Sequence, residues 1–448
     1  MHFFDDVTQE IADEIYAYVE ARLRMDPVPL DQPKTLSELT SQVGQTITKE
    51  GLGGHKVLEI FQNSLAPACI STDHPRYLSF IPNAPTELSQ LFDLVVGASG
   101  IYGGSWLEGA GAVYAENQAI NWISELIGFP KSAGGVFVQG GTLGNLSALV
   151  AAREKARSST ISHGRWVVIV SPYAHSSVES AAKVMDIDVV QCEVGKDLKL
   201  RGGDVLRTLQ RLSPEQKPFA VIATAGSTNL GIVDEIHSIA EVAKENNLWF
   251  HIDGAYGGAG VVAPSVRELY RGIEHADSFI VDPHKWLFAP FDACALIYRD
   301  PANAKKAHQQ HASYLDTLDD ESEWNPSDLA VHLTRRPRGL PFWFSLASHG
   351  SLAYEQSVER TLASAKIAAQ MIKAHPRLEL LFEPELSVVA FTRPGWSESE
   401  YREWSQQLLA KQIGFVTHSF HAGQPILRFA IVNPRTDESD FAAILSQL

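Results

Sequence analysis

Two residues, Lys285 and Asp253, have surroundings that suit covalent chemistry on an aldehyde. Lys285 lies in the run Asp-Pro-His-Lys-Trp at 282–286, directly after the apolar stretch Ser278–Val281. Asp253 lies in the run His-Ile-Asp-Gly-Ala-Tyr at 251–256, which also follows an apolar stretch. A lysine at the end of a buried strand can form a Schiff base, and an aspartate at a neighbouring strand end can hold a pyridinium nitrogen protonated. Together they predict a site for pyridoxal 5'-phosphate (PLP).

The two residues differ in how well a purely structural role explains them. Lysines without a partner are seldom placed at buried strand ends, so Lys285 has few structural explanations. We expect burial to lower its pKa, which favours attack of the free amine on an aldehyde. Asp253 has a simpler alternative role as a cap for the turn that begins at Gly254.

Polar groups follow three further predicted strands. These groups are the turn at 139–142 with Gly140, Gly141 and Thr142, the run 171–177 with His175, and the turn at 224–228 with Thr228. In open parallel sheets, ligands bind beyond the carboxyl ends of the strands. We therefore expect all five strand ends to converge on one crevice, and this convergence is stronger than any single motif.

Two of these groups have specific uses in a PLP site. The turn at Gly140, Gly141 and Thr142 opens a helix, whose free N–H groups and dipole suit a phosphate. On its own, such a turn is most often only a turn. His175 can stack on a cofactor ring, whereas its alternative role is that of a capping or core histidine.

The element pattern predicts an α/β fold with a mostly parallel central sheet and helices on both faces, because strands alternate with helices of about 10–15 residues. The predicted strands are 135–138, 166–170, 219–223, 249–252, 278–281 and 295–298, and the predicted helices are 112–127, 143–155, 176–185 and 236–245. We predict three parts: an N-terminal helical, dimer-packing segment (1–75), a large PLP-binding domain (76–345) and a small C-terminal α+β domain (346–448). In the small domain we predict helices at 351–374, 397–411 and 438–448 and strands at 386–391, 414–417 and 427–432.

An amphipathic helix is predicted at 6–25, because Ile11, Ile15, Val19 and Leu23 recur on one face. Asp6 with Gln9 is a candidate cap. The helix packs either on its own core or on a partner subunit, and the pattern alone leaves both possibilities open.

Composition excludes several classes of partner. The chain has 448 residues, 45% of them hydrophobic, and a formal net charge of −16. This charge argues against nucleic acid and anionic membranes as partners. Three widely separated cysteines predict neither a disulfide framework nor a metal cluster. Without a basic segment before an apolar core, and without an apolar run of about 20 residues, we expect a cytoplasmic protein that does not enter a membrane.

The motifs together resemble the group II PLP-dependent amino-acid decarboxylases, a family that includes aromatic-amino-acid, histidine, glutamate and diaminobutyrate decarboxylases. The resemblance runs from about Pro75 to the C-terminus. It is most specific in Ala-His-Ser-Ser-Val-Glu (174–179), His-Ile-Asp-Gly-Ala-Tyr (251–256) and His-Lys-Trp (284–286). It implies PLP fold type I, the aspartate aminotransferase-like architecture, and an obligate homodimer with the active site at the interface.

The resemblance also implies roles for individual residues. Lys285 resembles the Schiff-base lysine, Asp253 the aspartate at the pyridine nitrogen, and His175 the stacking histidine, which also helps protonation. The other implied cofactor-binding residues are Gly141, Thr142, Thr228, Ala255 and His284. The implied substrate-binding residues are Phe80, Ile81, Pro82, Asn83, Tyr102, Gly104 and Arg428, with Tyr102 and Gly104 given by the other subunit and Arg428 near the substrate carboxylate.

Three positions depart from the family pattern. Asp282 replaces an asparagine of many members, and an acid there would repel the phosphate. The window 321–326 lacks the mobile tyrosine that aromatic decarboxylases use to protonate the substrate carbon, and Tyr314 lies too early to be equivalent. Gly104 replaces a bulky aromatic residue, which predicts room for a larger substrate side chain.

These observations predict decarboxylation of an L-amino acid to its amine and CO2. The apolar and aromatic character of Phe80, Ile81 and Tyr102 favours an aromatic substrate such as tryptophan, tyrosine, phenylalanine or dopa, with Asn83 binding a ring substituent. The alternatives are an acidic or diamino substrate (glutamate or 2,4-diaminobutyrate), oxidative conversion to an aldehyde, and a PLP-binding protein without activity. An aminotransferase is a further possibility, but the context of Lys285 points away from it.

Overall fold

The computed structural model describes residues 2–159, 164–310 and 324–448. Tyr314 and residues 321–323, which belong to the segment searched for a mobile tyrosine, lie outside the described residues. Among the described residues, no helix combines the length and the apolar composition needed to cross a bilayer.

The N-terminal part is helical. Its helices are α1 (Asp6–Leu23), α2 (Leu36–Val43), α3 (Gly54–Ile60) and α4 (Glu87–Ser99). The predicted cap of α1 is wrong by one residue, because Asp5 has the extended backbone of a cap and its carboxylate accepts the N–H of Thr8 at 2.9 Å. None of the side chains of α1 is buried within the chain.

A seven-stranded sheet forms the centre of the large domain. Its strands are β1 (Gly134–Val138), β2 (Arg165–Val170), β3 (Asp188–Gln191), β4 (Gln216–Thr224), β5 (Trp249–Asp253), β6 (Ser278–Val281) and β7 (Cys294–Tyr298). They are arranged in the order β1-β7-β6-β5-β4-β2-β3. Only β7 runs against its neighbours, whereas the pairs from β6 to β3 are all parallel. The predicted mostly parallel sheet is therefore confirmed.

Helices cover both faces of this sheet. They are α5 (Trp106–Leu126), α6 (Gly141–Ser159), α7 (Ser177–Met185), α8 (Gly202–Arg211), α9 (Ile236–Glu245), the single turn α10 (Pro283–Trp286) and α11 (Pro301–His308). Successive residues of β4 belong to different cores: Val221 clusters with Ile239 of α9, and Ile222 clusters with Leu149 of α6. Burial on both faces explains why the strands are continuously apolar.

The C-terminal part carries a second, smaller sheet. Helices α12 (Leu340–His349) and α13 (Ser351–Ala374) precede it. The strands β8 (Glu379–Leu380), β9 (Val388–Thr392), β10 (His418–His421) and β11 (Gln424–Ala430) form an antiparallel sheet in the order β10-β11-β9-β8, with α14 (Glu398–Ala410) and α15 (Glu438–Leu445) beside them. The predicted division at 345/346 falls inside α12, and both domain boundaries stay predictions.

The predicted strand at 414–417 is wrong. The strand that pairs with β11 lies four residues further on, at β10. Phe415 instead makes a single parallel bridge with Tyr77 and exchanges backbone hydrogen bonds with Arg76 and Leu78. Residues 414–417 therefore tie the small domain to the segment before α4 rather than extending the small sheet.

Candidate active site

One cavity lies beyond the carboxyl ends of β1, β2, β5 and β6. Its volume is about 340 Å³, within the usual range for small-molecule sites. Seven predicted cofactor residues line it: Gly141, Thr142, His175, Asp253, Ala255, His284 and Lys285. Lys285 and Asp253 therefore face the same space, and four of the five strand ends expected to converge meet here, whereas the turn at 224–228 after β4 does not line the cavity.

Lys285 is paired with a carboxylate. The single helical turn α10 brings residues 282 and 285 to the same side, and Lys285 Nζ lies 2.8 Å from Asp282 Oδ2. Burial on its own lowers the pKa of Lys285, but the attraction of Asp282 outweighs burial and raises this pKa above its ordinary value. The predicted fall in the pKa of Lys285 is therefore wrong for the protein without a ligand.

Asp282 lies close to the Lys285 ammonium, the His284 ring and a backbone N–H. The same Oδ2 atom is 3.4 Å from the backbone N of Gly141 and 3.7 Å from His284 Nε2. Burial raises the pKa of Asp282, but Lys285 and His284 together hold it below its ordinary value. Asp282 is thus the counter-ion of Lys285 and also lies next to the start of α6, where the phosphate is expected.

Asp253 is fixed at the floor of the cavity. Its Oδ2 accepts a hydrogen bond from Asn145 Nδ2 at 2.9 Å, and its Oδ1 accepts the backbone N–H of Ala255 at 3.1 Å. Each carboxylate oxygen keeps a further lone pair, so the group can also accept from a protonated ring nitrogen. The alternative role as a cap is compatible with this geometry but does not explain the bond from Asn145.

His175 lies at the open side of the cavity. Its ring Nδ1 accepts the backbone N–H of Ser177 at 3.2 Å and lies 2.9 Å from Ser177 Oγ. Ser177 begins α7, so the helix start holds the imidazole by one nitrogen and leaves Nε2 without a partner among the hydrogen bonds of the described residues.

The start of α6 provides a close-fitting cradle. A Cβ atom added at Gly141 would lie 3.0 Å from Ala255 Cβ, tighter than an ordinary contact, so a side chain here would require Ala255 to shift. Across the cavity, His284 Nδ1 lies 2.8 Å from Ala293 O, and burial lowers the pKa of His284. The cavity thus offers a helix start for a phosphate, a lysine for an aldehyde and a carboxylate for a ring nitrogen, so these residues fit PLP.

Two predicted residues of the large and small domains do not line this cavity. Thr228 follows β4, and its neighbour Asn229 bonds to Ser419 and Phe420 of the small domain. Arg428 is buried in β11, and its Nη1 has no hydrogen-bond partner among the described residues. Burial lowers the pKa of Arg428 to about 10. Roles for both residues stay predictions.

The segment at 80–83 also lies outside the cavity lining. Phe80 is 57% exposed, whereas Ile81 packs against the core of the large domain. Asn83 is buried, and its amide donates to Ala289 O at 2.9 Å. This bond supports the backbone after α10 with one amide proton, and the expectation that Asn83 binds a substrate substituent stays a prediction.

Tyr102 and Gly104 lie in the loop before α5, away from the cavity of their own chain. The hydroxyl of Tyr102 donates to Leu333 O at 3.0 Å. A Cβ atom at Gly104 would lie 2.3 Å from that hydroxyl oxygen. The space next to Gly104 is thus occupied by the Tyr102 phenol, and the expectation of free room for a larger substrate is wrong within this chain.

The sequence reasoning missed four lining residues, Asn145, Ser177, Phe291 and Asp292, and also the ion-pair role of Asp282. Asn145 is four residues after Gly141, so helical periodicity places both on one face of α6. Asn145 is not among the candidate residues of the sequence analysis, although this spacing would have found it. Ser177 follows His175 by two residues, at a helix start.

Comparison with known proteins decides the family. Residues 37–393 match the sequence profile of the pyridoxal-dependent decarboxylase conserved domain. The chain belongs to this family. This decarboxylase is a PLP-dependent carboxy-lyase with the fold of PLP enzymes of type I, so the predictions of cofactor, enzyme class and fold are confirmed.

Relatives of the decarboxylase act on different substrates. Aromatic-L-amino-acid decarboxylase of Bacillus atrophaeus is 27% identical over 424 residues, which cover 92% of this chain and 88% of that protein. L-2,4-diaminobutyrate decarboxylase of Acinetobacter baumannii is 29% identical over 381 residues, which cover 80% and 74%. The structure of Oryza sativa TDC with PLP and tryptamine has a TM-score of 0.87 and 23% identity, with 98% and 95% of the two chains covered, and shows a shared fold.

Proposed function

We propose that the decarboxylase converts an L-amino acid with an aromatic side chain to its amine and CO2. The observation that carries this choice is Phe291, which lines the cavity, is 55% exposed and has its ring centroid 5.1 Å from that of His284. An exposed ring beside the reacting groups offers a stacking surface for an aromatic side chain.

The charges around the cavity support the same choice. Among the described residues that line it, Lys285 is the only lysine or arginine, whereas Asp253, Asp282 and Asp292 are acids. The side chain of Asp292 is itself paired with Arg338. An acidic substrate side chain would need an additional cation, because an unpaired carboxylate is costly to bury.

Each of these cavity residues has its own role in the proposed reaction. Bound PLP supplies an electron sink for the electron pair left when CO2 departs. With PLP bound, Lys285 Nζ would attach the cofactor, the N–H groups of Gly141 and Thr142 would bind its phosphate, and the Asp253 carboxylate would hold a proton at the ring nitrogen. His175, in its imidazolium form, would pass its Nε2 proton to the substrate carbon that has lost its carboxylate and return to a neutral ring. The overall change is loss of CO2 and gain of one proton at that carbon.

We further propose that the decarboxylase works as a homodimer. Helix α1 buries none of its side chains within the chain, and Phe4, Ile15 and Tyr16 are exposed. Exposed apolar groups on one segment are typical of a surface that a partner covers. Tyr102 and Gly104, which do not reach their own cavity, are then available to the partner's site. Light scattering on the purified chain tests this, and a monomer at micromolar concentration contradicts it.

A substrate screen tests the proposed activity. The holoenzyme is incubated with the twenty common amino acids, dopa and 2,4-diaminobutyrate, and CO2, amine, aldehyde and peroxide are all quantified. We expect the highest kcat/KM for an aromatic substrate, with CO2 and amine formed one to one. A preference for glutamate or 2,4-diaminobutyrate contradicts the aromatic assignment. Aldehyde with ammonia and peroxide in place of amine contradicts simple decarboxylation.

Substitution of Phe291 tests the proposed aromatic substrate without changing the residues proposed to bind PLP. Phe291→Ala removes the exposed ring, so KM for the preferred aromatic substrate should rise by about 5- to 10-fold, in line with about 1–1.5 kcal/mol for an aromatic pair. The matched control is Phe420→Ala, because Phe420 is also exposed but lies on β10. Equal KM values for Phe291→Ala and the unmodified enzyme contradict a stacking role for this ring.

A further inference from the structure

A buried chain of hydrogen bonds runs behind the wall of the cavity. It begins at Trp249, whose indole Nε1 donates to Ser278 Oγ at 2.7 Å. Ser278 Oγ also lies 2.8 Å from His251 Nδ1. An indole nitrogen can only donate, so the serine oxygen accepts from Trp249 and its own proton remains available for His251 Nδ1. The direction of the second link is set from the other end of the series of hydrogen bonds, at Asp253.

His251 links Ser278 to Asn145. Its Nε2 lies 2.8 Å from Asn145 Oδ1, an oxygen that can only accept, so the neutral ring carries its proton on Nε2 and its Nδ1 accepts from Ser278. His251 is fully buried, and burial lowers its pKa to about 4 even though Asp253 acts in the opposite sense. The ring is thus neutral at ordinary pH, and its one N–H points at the amide oxygen of Asn145.

The series of hydrogen bonds divides into two branches at Asn145. Its Nδ2 donates to Asp253 Oδ2 at 2.9 Å and to Ser177 Oγ at 2.9 Å. A carboxylate only accepts, so the NH2 group of Asn145 must face Asp253 and its oxygen must face His251. The orientation of the amide is therefore fixed from both sides.

The second branch ends on His175. Ser177 Oγ accepts from Asn145, so its own proton is free to point at His175 Nδ1, 2.9 Å away. The backbone N–H of Ser177 also points at this nitrogen. With two donors directed at Nδ1, the neutral imidazole of His175 carries its proton on Nε2, the nitrogen that faces away from α7.

We propose that Asn145 is a positioning residue that sets two groups at once: the direction of the Asp253 carboxylate and the proton on His175 Nε2. This inference rests on the proposed roles of Asp253 and His175. As a consequence, Asp253 and His175 are held by the same buried side chain. A single change at Asn145 therefore disturbs both the partner of the ring nitrogen and the proton donor. Hydrogen-bond partners of this kind change affinity or activity by about 10- to 100-fold in metal sites when they are removed.

The proton position is measurable without substrate. The full-length protein is labelled with ¹⁵N in its histidine rings, and the spectra are recorded with and without PLP at a pH where His175 is neutral. The His175 signals are assigned by their loss in His175→Gln. We expect an unprotonated Nδ1 and a protonated Nε2. A protonated Nδ1 in the unmodified protein overturns the proposal, whatever the substrate proves to be.

Asn145→Asp provides the direct test, because an ionised aspartate has the same shape but cannot donate. We expect a mixture of His175 tautomers and a dissociation constant for PLP that rises by about 10- to 100-fold. The matched control is Asn433→Asp: Asn433 is also buried, and its Nδ2 donates to Asp73 O at 2.9 Å in another part of the chain. Unchanged tautomer and affinity in Asn145→Asp, or equal effects in the two variants, overturn the proposal.

A second variant keeps the test decisive if Asn145→Asp does not fold. Ser177→Ala removes only the hydroxyl bridge to His175 and leaves the bond from Asn145 to Asp253. We expect a shift of the His175 tautomer in the same direction, with the PLP dissociation constant within about twofold of the unmodified value. An unchanged tautomer contradicts the branch through Ser177, and a large loss of PLP affinity contradicts the separation of the two branches.

Discussion

Lys285 Nζ and Asp282 Oδ2 form an ion pair 2.8 Å long at the single helical turn α10, with the Asp282 carboxylate buried. The pair joins the amine expected to attach the cofactor to an acid that replaces the asparagine expected in many members of the family. Burial alone would favour a neutral lysine, but Asp282 stabilises the charged form and raises the pKa of Lys285. Asp282 therefore opposes the reaction of Lys285 with an aldehyde until the ion pair separates.

Asp282→Asn should make Lys285 more reactive towards PLP. Without the carboxylate, burial is the main influence on the lysine, so its pKa should fall and capture of PLP should accelerate at neutral pH. The measurement is the rate of PLP capture by the cofactor-free protein across a range of pH. Asp292→Asn is the control, because Asp292 lines the same cavity but pairs with Arg338. Capture that is slower in Asp282→Asn than in the control contradicts this account.

His251 should make stability depend on pH. Its folded-state pKa of about 4 lies below the ordinary 6.5, so the unfolded chain binds the proton first as the pH falls. The stability that neutral His251 contributes is therefore fully present above pH 6.5 and is lost between 6.5 and about 4, at up to about 1.4 kcal/mol per pH unit.

Comparison of the unmodified protein with a variant that lacks His251 isolates the contribution of this histidine to the pH dependence of stability. Urea unfolding of the unmodified chain and of His251→Phe, both without PLP, gives a difference in unfolding free energy at each pH. We expect this difference to shrink steadily from pH 6.5 towards pH 4. A difference that stays constant over this interval means that His251 does not remain neutral in the folded protein.

Arg335 and Glu116 should contribute strongly to stability. The guanidinium binds both oxygens of Glu116 at 2.7 and 2.8 Å, and it also donates to Gly103 O at 2.6 Å. Both side chains are almost completely buried. Arg335→Ala leaves the Glu116 carboxylate buried without its cation, so the unfolding free energy should fall by about 3–5 kcal/mol.

An exposed ion pair is the natural comparison for Arg335. Arg402 and Glu398 are paired at 2.6 Å on the surface of α14, where such pairs contribute under about 1 kcal/mol. Urea unfolding of Arg335→Ala and Arg402→Ala should therefore differ by at least about 2 kcal/mol. Similar losses in the two variants would mean that the buried pair does not support the loop that carries Gly103.

The sequence predicted the strands that carry the site because they are short, apolar and followed by polar turns. Six of the seven strands of the large sheet were found in this way. The missed strand, β3 (Asp188–Gln191), has four residues at the edge of the sheet, and none of them is fully buried. An edge strand of this length has neither the apolar run nor the alternation that a pattern needs.

The sequence predicts those site residues that follow buried strands. It does not predict contacts that depend on the local conformation of the backbone. Lys285 and Asp253 follow buried strands, so their meeting in one cavity could be inferred. The ion pair of Lys285 with Asp282 depends on the helical turn α10, which brings the two side chains together. The sequence pattern did not predict this turn. The position of Asn83 depends on its amide reaching Ala289, 206 residues away, which no local pattern encodes.

Reduction with borohydride tests the central claim most directly, that Lys285 and Asp253 hold one PLP ring between them. The holoenzyme is reduced, digested and analysed by mass spectrometry, in parallel with Lys285→Ala and Asp253→Ala. We predict that the reduced pyridoxyl phosphate is found on the peptide that contains Lys285, is absent in Lys285→Ala, and falls at limiting PLP in Asp253→Ala. A label on another lysine, or full labelling of Lys285→Ala, would contradict the account.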